Sequence, residues 1–471
     1  MINRAIRALN FLFVVLFLLL AGRLWYVQLG EGADIASHPS NPRHGSLQAG
    51  RGRILATDGT ILAYSAGERR IYPFGASLAH SVGYLSARYG ASGIEDAYDA
   101  ALSPPDISGD PIGQFDEIRS AIQGRTPVAH GADIVTTIVP AIQQELFTRI
   151  SRYPRAAGIV LDPRSGAVLA IAAVPSFDPN EIETLFPTIS VDETSPLLDR
   201  ATQGLYPPGS TFKIFTASAA LDSGVVTPDS RFEDPGYLAV GDTMLHDNEG
   251  EATGYQDVTT AFALSSNVDF AQIALKIGVD DFYRYLARWS IGGSLDYQLA
   301  ASRSSVPPKD EIASGELAQM GFGQGALLVT PMQMALIAAT VANGGNEPRP
   351  FIVRQIVRGG VVVGAFSSGT LASPISADTA DEVKKMMIAV VERGTGTVAS
   401  LPNVVVAGKT GTATNPHGAA HSWFVCFAPA DDPRVVVAIV VENVGYGATF
   451  AGPIARDVLE TALQSTGTSG T

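Results

Sequence analysis

Ser210 and Lys213 stand three residues apart, directly after Tyr206-Pro207-Pro208-Gly209. Pro-Pro-Gly arrests whatever precedes it, and the stretch from Ser210 to Leu221 reads as a helix. On a helix, positions i and i+3 share a face, so the Lys213 amine can approach the Ser210 hydroxyl. A serine attacks a carbonyl only when a base takes its proton. A lysine serves as that base only when neutral, a state that burial or a neighbouring cation enforces. Helix N-terminal amides beside Ser210 also favour anionic character there. Alone, the pair has a bland reading, a helix-capping serine followed by a solvated lysine. Two further segments change the balance. Ser265-Ser266-Asn267 offers a hydroxyl, on Ser265, to pass a proton between Lys213 and a leaving amine. Its Asn267 carries both a donor and an acceptor with which to hold Lys213 and a substrate amide; a loop or N-cap is the competing reading. Lys409-Thr410-Gly411-Thr412 supplies positive charge from Lys409 and two hydroxyls suited to a carboxylate. Gly411 is expected to let a substrate approach the strand edge closely, against the alternative of a turn with an exposed lysine. All three segments occur in this order in a chain whose usual cation is arginine, which makes coincidence a poor explanation.

The elements that must position these residues follow from patterning. Gly158–Leu161, the turn Asp162-Pro163-Arg164-Ser165-Gly166 and Ala167–Ile171 form a strand–turn–strand signature. Helical patterns occupy the middle, including Ser210 to Leu221 and Pro331 to Val341. Strands return at Val404–Val406, Trp423–Phe427 and Val435–Val441, the last two joined around Asp431-Asp432-Pro433. A helix from Pro453 to Leu463 closes the pattern, with proline in the favoured first turn, and the polar tail after it reads as disordered. Strands at both ends of a helical middle predict an α+β domain whose terminal elements complete one central antiparallel sheet flanked by helices. Upstream, Arg53-Ile54-Leu55 and Thr60–Ala63, separated by Asp58-Gly59, predict a mostly-β region with no cluster of nucleophile and base. The expected division is 1–29 for a cytoplasmic tail and transmembrane anchor, 30–150 for a linker and an elongated non-catalytic domain, 151–465 for the catalytic domain and 466–471 for the tail.

Composition bounds the function. In 471 residues, 46% are apolar and 17% charged, enough for two or three cores. The formal charge is −14, which argues against nucleic acid as a partner. Cys426 is the only cysteine, so a disulfide framework and a thiolate metal site are excluded; within an apolar strand it reads as a core thiol. His417 and His421 lack the helix and the acidic partner of a zinc motif, and Glu316 reads as a solvated helix position. No metal or cofactor is implied. One long apolar run, Phe11 to Gly22, continues past Arg23 through Leu24, Trp25, Tyr26, Val27 and Leu29, with Arg4 and Arg7 before it. Ala5–Leu29 is long enough to span a bilayer. The preceding basic residues place the N-terminus in the cytoplasm and all later residues outside it. A cleaved signal peptide is the alternative, but Leu19 and Leu20 occupy the places where a small residue is wanted.

Together the three motifs resemble the penicillin-recognising serine acyltransferases. Arg51-Gly52-Arg53-Ile54, Asp58–Ala63, Arg70–Pro73, His80 and Gly90–Glu95 are similar to motifs of the N-terminal domain of class B penicillin-binding proteins. Gly323-Gln324-Gly325, Thr330–Ala335, Gly394–Thr397 and His421–Phe424 resemble segments flanking the transpeptidase site. The resemblance implies a membrane-anchored, single-pass D,D-transpeptidase that cross-links peptidoglycan stem peptides outside the cytoplasm and serves cell shape or division. Ser210 would attack a D-Ala-D-Ala carbonyl, Lys213 would act as base and Ser265 as proton relay. The main-chain amides of Ser210 and Thr412 would hold the oxyanion, and Lys409, Thr410 and Thr412 would bind the terminal carboxylate. β-Lactams would acylate Ser210, and a separate polytopic membrane glycosyltransferase would be the partner. Competing readings are a D,D-carboxypeptidase or β-lactamase of the same chemistry, and a β-lactam sensor or catalytically silent scaffold.

Overall fold

The computed structural model describes residues 11–21, 23, 50–104, 130–247, 252–416 and 418–467. Residues 11–21 are helical. Among the described residues no helix is long and apolar enough to cross a membrane. The rest of the expected span and nearly all of the expected linker lie outside the described residues, as does His417.

The larger unit is mixed α+β around a five-stranded antiparallel sheet. Its order is Ala407–Asn415, Gly418–Ala428, Val435–Val441, Ala156–Leu161 and Val168–Val174. The expected closure of one sheet by both ends of the domain is therefore observed. Val436 pairs with Leu161 and Val441 with Ala156 across the junction. Side chains alternate across a strand, so Val435, Val437 and Ile439 enter one apolar core while Val436, Ala438 and Val440 enter the other. That two-sided burial explains why Val435–Val441 is an unbroken apolar run. One face is covered by the helices Pro140–Ile150 and Ala451–Gly467, through Ile142, Leu146, Ile454 and Val458. The other carries Pro331–Ala342, Ala377–Arg393 and the helix that follows Ser210.

A six-stranded sheet lies upstream. In order it runs Val361–Ala365, Val353–Arg358, Asp133–Thr136, Ile54–Leu55, Ile61–Ala66 and Arg69–Ile71. Three motif residues of the N-terminal region meet in a buried knot. The Arg51 guanidinium donates to Glu95 at 2.7 Å and to Asp99 at 2.6 Å, and Arg70 donates to Glu95 at 2.7 Å.

Some expectations change. The hairpin Val353–Ala365 joins the upstream sheet, and the helix Pro140–Ile150 packs on the downstream one, so a cut at residue 150 divides neither unit cleanly. Hydrophobic pattern reports that an element is half-buried, not which sheet receives it. Val404–Val406 does not form a strand of the sheet; Val404 makes an isolated bridge to Leu401, and the strand starts at Ala407. The last helix runs to Gly467, so the first residues of the expected tail are helical. There the hydroxyls of Ser465 and Thr466 donate back to the carbonyls of Thr461 and Ala462, an option polar composition does not reveal.

Candidate active site

Ser210 sits in a 3₁₀ turn, Gly209–Phe212, which passes directly into the helix Lys213–Asp222. The helix is buried on every side from Lys213 to Ala220, so it is a core element and not the surface helix a solvated lysine would require. Gly209 has φ +54°, and a Cβ there would lie 2.7 Å from the Thr412 carbonyl oxygen, so only glycine fits. Its amide donates to Gly323 at 2.8 Å, which ties the Gly323-Gln324-Gly325 loop to the turn. The Glu316 carboxylate, expected on a solvated face, instead accepts the Ala326 amide at 2.6 Å and braces that loop.

Lys213 is wholly buried, and its amine donates to the Ser265 carbonyl at 2.6 Å, to Asn267 Oδ1 at 2.9 Å and to Ser265 Oγ at 3.3 Å. Burial pulls its pKa down to about 7, against the opposing pull of Asp247, Asp269 and Asp234. Ser265 terminates the helix Val258–Leu264 in the left-handed conformation, φ +67°, a position uncommon for a non-glycine residue. That turn aims both its carbonyl and its hydroxyl at Lys213. Asn267 opens the next helix, Asn267–Arg288, which Ser266 caps through the Asp269 amide at 3.0 Å.

Lys409 is also wholly buried, contrary to an exposed turn residue. Its amine donates to Ser265 Oγ at 2.8 Å and to the Thr410 carbonyl at 3.2 Å. Burial, with Lys213 adding to it, holds its pKa well below the ordinary lysine value. Ser265 Oγ thus receives both lysines, and three segments far apart in sequence meet at one hydroxyl. Ser210, Ser265, Thr410 and Thr412 line a common cleft of about 330 Å³ with Thr395 and residues 446–449. Among the described residues the Ser210 hydroxyl makes no hydrogen bond, and no carboxylate lines this cleft.

Packing within the protein also demands glycine at position 411. A Cβ there would lie 2.8 Å from Thr211 Cγ2, 2.8 Å from Trp423 Cβ and 3.1 Å from the Pro208 carbonyl oxygen. The glycine admits the nucleophile turn to the strand. Trp423, opposite Gly411 in register, completes the lock by donating its indole N–H to Pro207 at 3.1 Å. Gly394–Thr397, expected to flank the site, reaches into it: the Thr395 hydroxyl pairs with that of Thr410. The sequence reading did not include the Tyr446–Thr449 segment, whose Gly447 amide reaches Thr412 Oγ1 at 3.4 Å. The Gly-rich run 445–447 was the available signal. It also did not include Asp234, Asp247 and Asp269, whose charges act on Lys213 and which form no motif.

Fold and site together define a penicillin-binding transpeptidase. Residues 156–460 match the penicillin binding protein transpeptidase domain, and residues 51–129 match the penicillin binding protein A dimerisation domain. The chain belongs to the penicillin-binding protein transpeptidase family. It is 31% identical to the peptidoglycan D,D-transpeptidase PbpA of Mycobacterium tuberculosis, covering 98% of this chain and 99% of that protein. To MrdA of Escherichia coli, also a peptidoglycan D,D-transpeptidase, it is 29% identical over 83% of this chain and 71% of that one. Among solved structures it resembles the ceftriaxone acyl-enzyme of M. tuberculosis penicillin-binding protein A, with TM-score 0.81 and 29% identity over 89% and 99% of the two chains. A D,D-transpeptidase domain from Eggerthella lenta gives TM-score 0.80 and 32% identity over 89% and 100%.

Proposed function

We propose that this chain is a peptidoglycan D,D-transpeptidase that works through an acyl-enzyme on Ser210. The observation that carries the reading is the meeting of Lys213, Ser265 and Lys409 at one hydroxyl beside a serine that is free to react. In the first step, Ser210 Oγ attacks the carbonyl of a D-Ala-D-Ala bond while neutral Lys213 takes its proton. A lysine whose pKa is near 7 is neutral in half or more of the molecules at neutral pH. As the C–N bond breaks, Ser265 gives its hydroxyl proton to the departing D-alanine nitrogen and takes in its place the proton that Lys213 removed from Ser210, while the Lys409 amine donates to Ser265 Oγ and holds it in position. The Ser210 and Thr412 amides stabilise the oxyanion, each donor contributing about 3 kcal/mol of barrier reduction. Lys409, Thr410 and Thr412 form the carboxylate subsite, the two threonine hydroxyls donating to the terminal carboxylate, and Asn267 orients the peptide amide. An amine from a second stem peptide then takes the acyl group.

β-Lactams present Ser210 with a cyclic amide in place of the D-Ala-D-Ala bond, and ring strain makes it a more reactive acyl donor. With no carboxylate among the described residues of the cleft to activate water, their adduct turns over slowly, which favours a transferase over a hydrolase. The same reading has residues 5–29 as a single-pass anchor with a cytoplasmic N-terminus, an elongated mostly-β upstream region as a non-catalytic pedestal, and a polytopic membrane glycosyltransferase as partner. The family membership and the basic-then-apolar N-terminus support it.

The test is labelling of the full-length chain with a fluorescent penicillin. The parent acquires a stable adduct that mass spectrometry maps to Ser210, whereas Ser210→Ala acquires none. A Ser210→Ala chain labelled at the parental rate sinks the assignment, and rapid release of the label sinks the transferase reading in favour of a hydrolase.

A further inference from the structure

Outside the lining of the cleft, two carboxylates converge on one side chain. The Ser266 hydroxyl donates to Asp234 Oδ2 at 2.8 Å and lies 3.3 Å from Asp247 Oδ2. One hydroxyl has one proton, so it cannot serve both oxygens. Asp234 is otherwise well supplied: the Gly236 amide donates to its Oδ1 at 2.8 Å, and Thr253 Oγ1 donates to its Oδ2. Asp247 instead uses Oδ1 to accept the amides of Asn267 and Val268, the latter at 3.2 Å, at the start of the helix that carries Asn267. Asn267 in turn accepts the Lys213 amine. The chain of contacts from Asp234 through Ser266 and Asp247 to Asn267 therefore ends on the proposed base.

We propose that Asp234 and Asp247 share one proton and act as positioning residues for Lys213, Asp234 holding the negative charge and Asp247 the proton, so that this lysine stays neutral. The inference rests on the reading of Ser210 and Lys213 as nucleophile and base. Two adjacent carboxylates cannot both ionise cheaply, and the better hydrogen-bonded one keeps the charge. Consistent with this, burial and Asp234 push Asp247 up to about 7, while Asp234, despite its own burial, is held below its ordinary value by its hydrogen-bond donors. The other titratable groups that act with the pair are Lys213 and, from the helix Asn267–Arg288, Asp269. Asp269 accepts Gln256 Nε2 at 2.7 Å, and its other carboxyl oxygen is buried without a partner, so burial pushes it up to about 6. Asp247 pulls on Lys213 more strongly than Asp269 or Asp234 does. Moving the charge from Asp234 to Asp247 therefore brings it closer to the base and holds the Lys213 proton on.

The consequence is a split in sign. Asp234→Asn leaves Asp247 as the only carboxylate of the pair; it ionises, and the acid limb of the acylation profile moves to higher pH by about one unit. Asp247→Asn retains an amide acceptor for Asn267 and Val268 and mimics the protonated acid; the limb stays in place or moves to lower pH. Ser266→Ala keeps both carboxylates but removes the hydroxyl that favours Asp234 together with the helix cap, so it reports how much of any shift passes through that hydroxyl. The experiment is the rate of fluorescent-penicillin acylation against pH for the full-length parent and the three variants, with melting temperatures to report folding. An upward shift in Asp234→Asn without one in Asp247→Asn supports the proposal. Shifts of the same sign, or no shift in any folded variant, overturn it. A parent that takes no label sinks the acyl-enzyme reading itself, whereas a labelled parent whose profile the variants share sinks this inference alone.

Discussion

Gly411→Ala is the sharpest test of how the site is assembled. The added methyl would meet Thr211 Cγ2 and Trp423 Cβ at 2.8 Å and the Pro208 carbonyl oxygen at 3.1 Å, and none of these is the loose end of a long side chain. Restoring ordinary contact requires the strand Ala407–Asn415 and the nucleophile turn to separate by roughly half an ångström, and overpacking of this kind costs about 1–3 kcal/mol of stability. The separation acts on the relation between the Ser210 and Thr412 amides, the proposed oxyanion donors. Displacing one donor forfeits part of its contribution, so the acylation rate is expected to fall by about 10-fold or more. Gly418→Ala on the neighbouring strand is the control: a Cβ there meets only Asn443, at 3.6 Å and beyond. Both chains are labelled with fluorescent penicillin under pseudo-first-order conditions and melted in parallel. Parental acylation and parental melting in Gly411→Ala would refute the packing argument, because the turn and the strand would then not be in contact. An equal loss in Gly418→Ala would refute its locality.

Three further outcomes follow from the same geometry. The acid limb of acylation should lie near pH 7, because Lys213 accepts a proton only when neutral and its pKa is about 7; a rate that is flat from about pH 5 to 9 excludes Lys213 as the base. Glu347 is fully buried, its two carboxyl oxygens have no hydrogen-bond partner among the described residues, and burial pushes its pKa up from 4.5 to about 8. The folded chain therefore keeps a proton that the unfolded chain has lost, and stability falls as pH rises from 4.5 to about 8, by up to about 1.4 kcal/mol per unit, then levels off. Glu347→Gln should flatten that decline in melting temperature against pH, and an unchanged slope counts against it. Arg51→Ala strips one partner from the buried Glu95 and should cost about 3–5 kcal/mol in denaturant unfolding, with acylation by the remaining folded chain unaffected.

Much of this was written in local pattern. The order of the strands along the chain, the helix after Ser210 and the buried run Val435–Val441 follow from period and turn residues, which are properties of neighbours in sequence. The three motifs fixed residue types and spacing, and thereby the chemistry of a serine activated by an amine. What the sequence left open is everything that depends on which side of an element faces which neighbour. Lys213 and Lys409 read as well as solvated cations as they do as buried ones. Only the packing of the helix Lys213–Asp222 inside the core, and the pairing of Lys409 opposite Val425, removes water from both amines and brings them to Ser265. Gly411 was legible as a residue that must be small, but the neighbour demanding it is the nucleophile turn from two hundred residues earlier. The acids that act on Lys213 form no motif, because a carboxylate's influence on a base is set by distance through space and by the donors around it. Charge state and close approach are tertiary quantities, and one-dimensional spacing carries them only where a helix or a turn holds both partners.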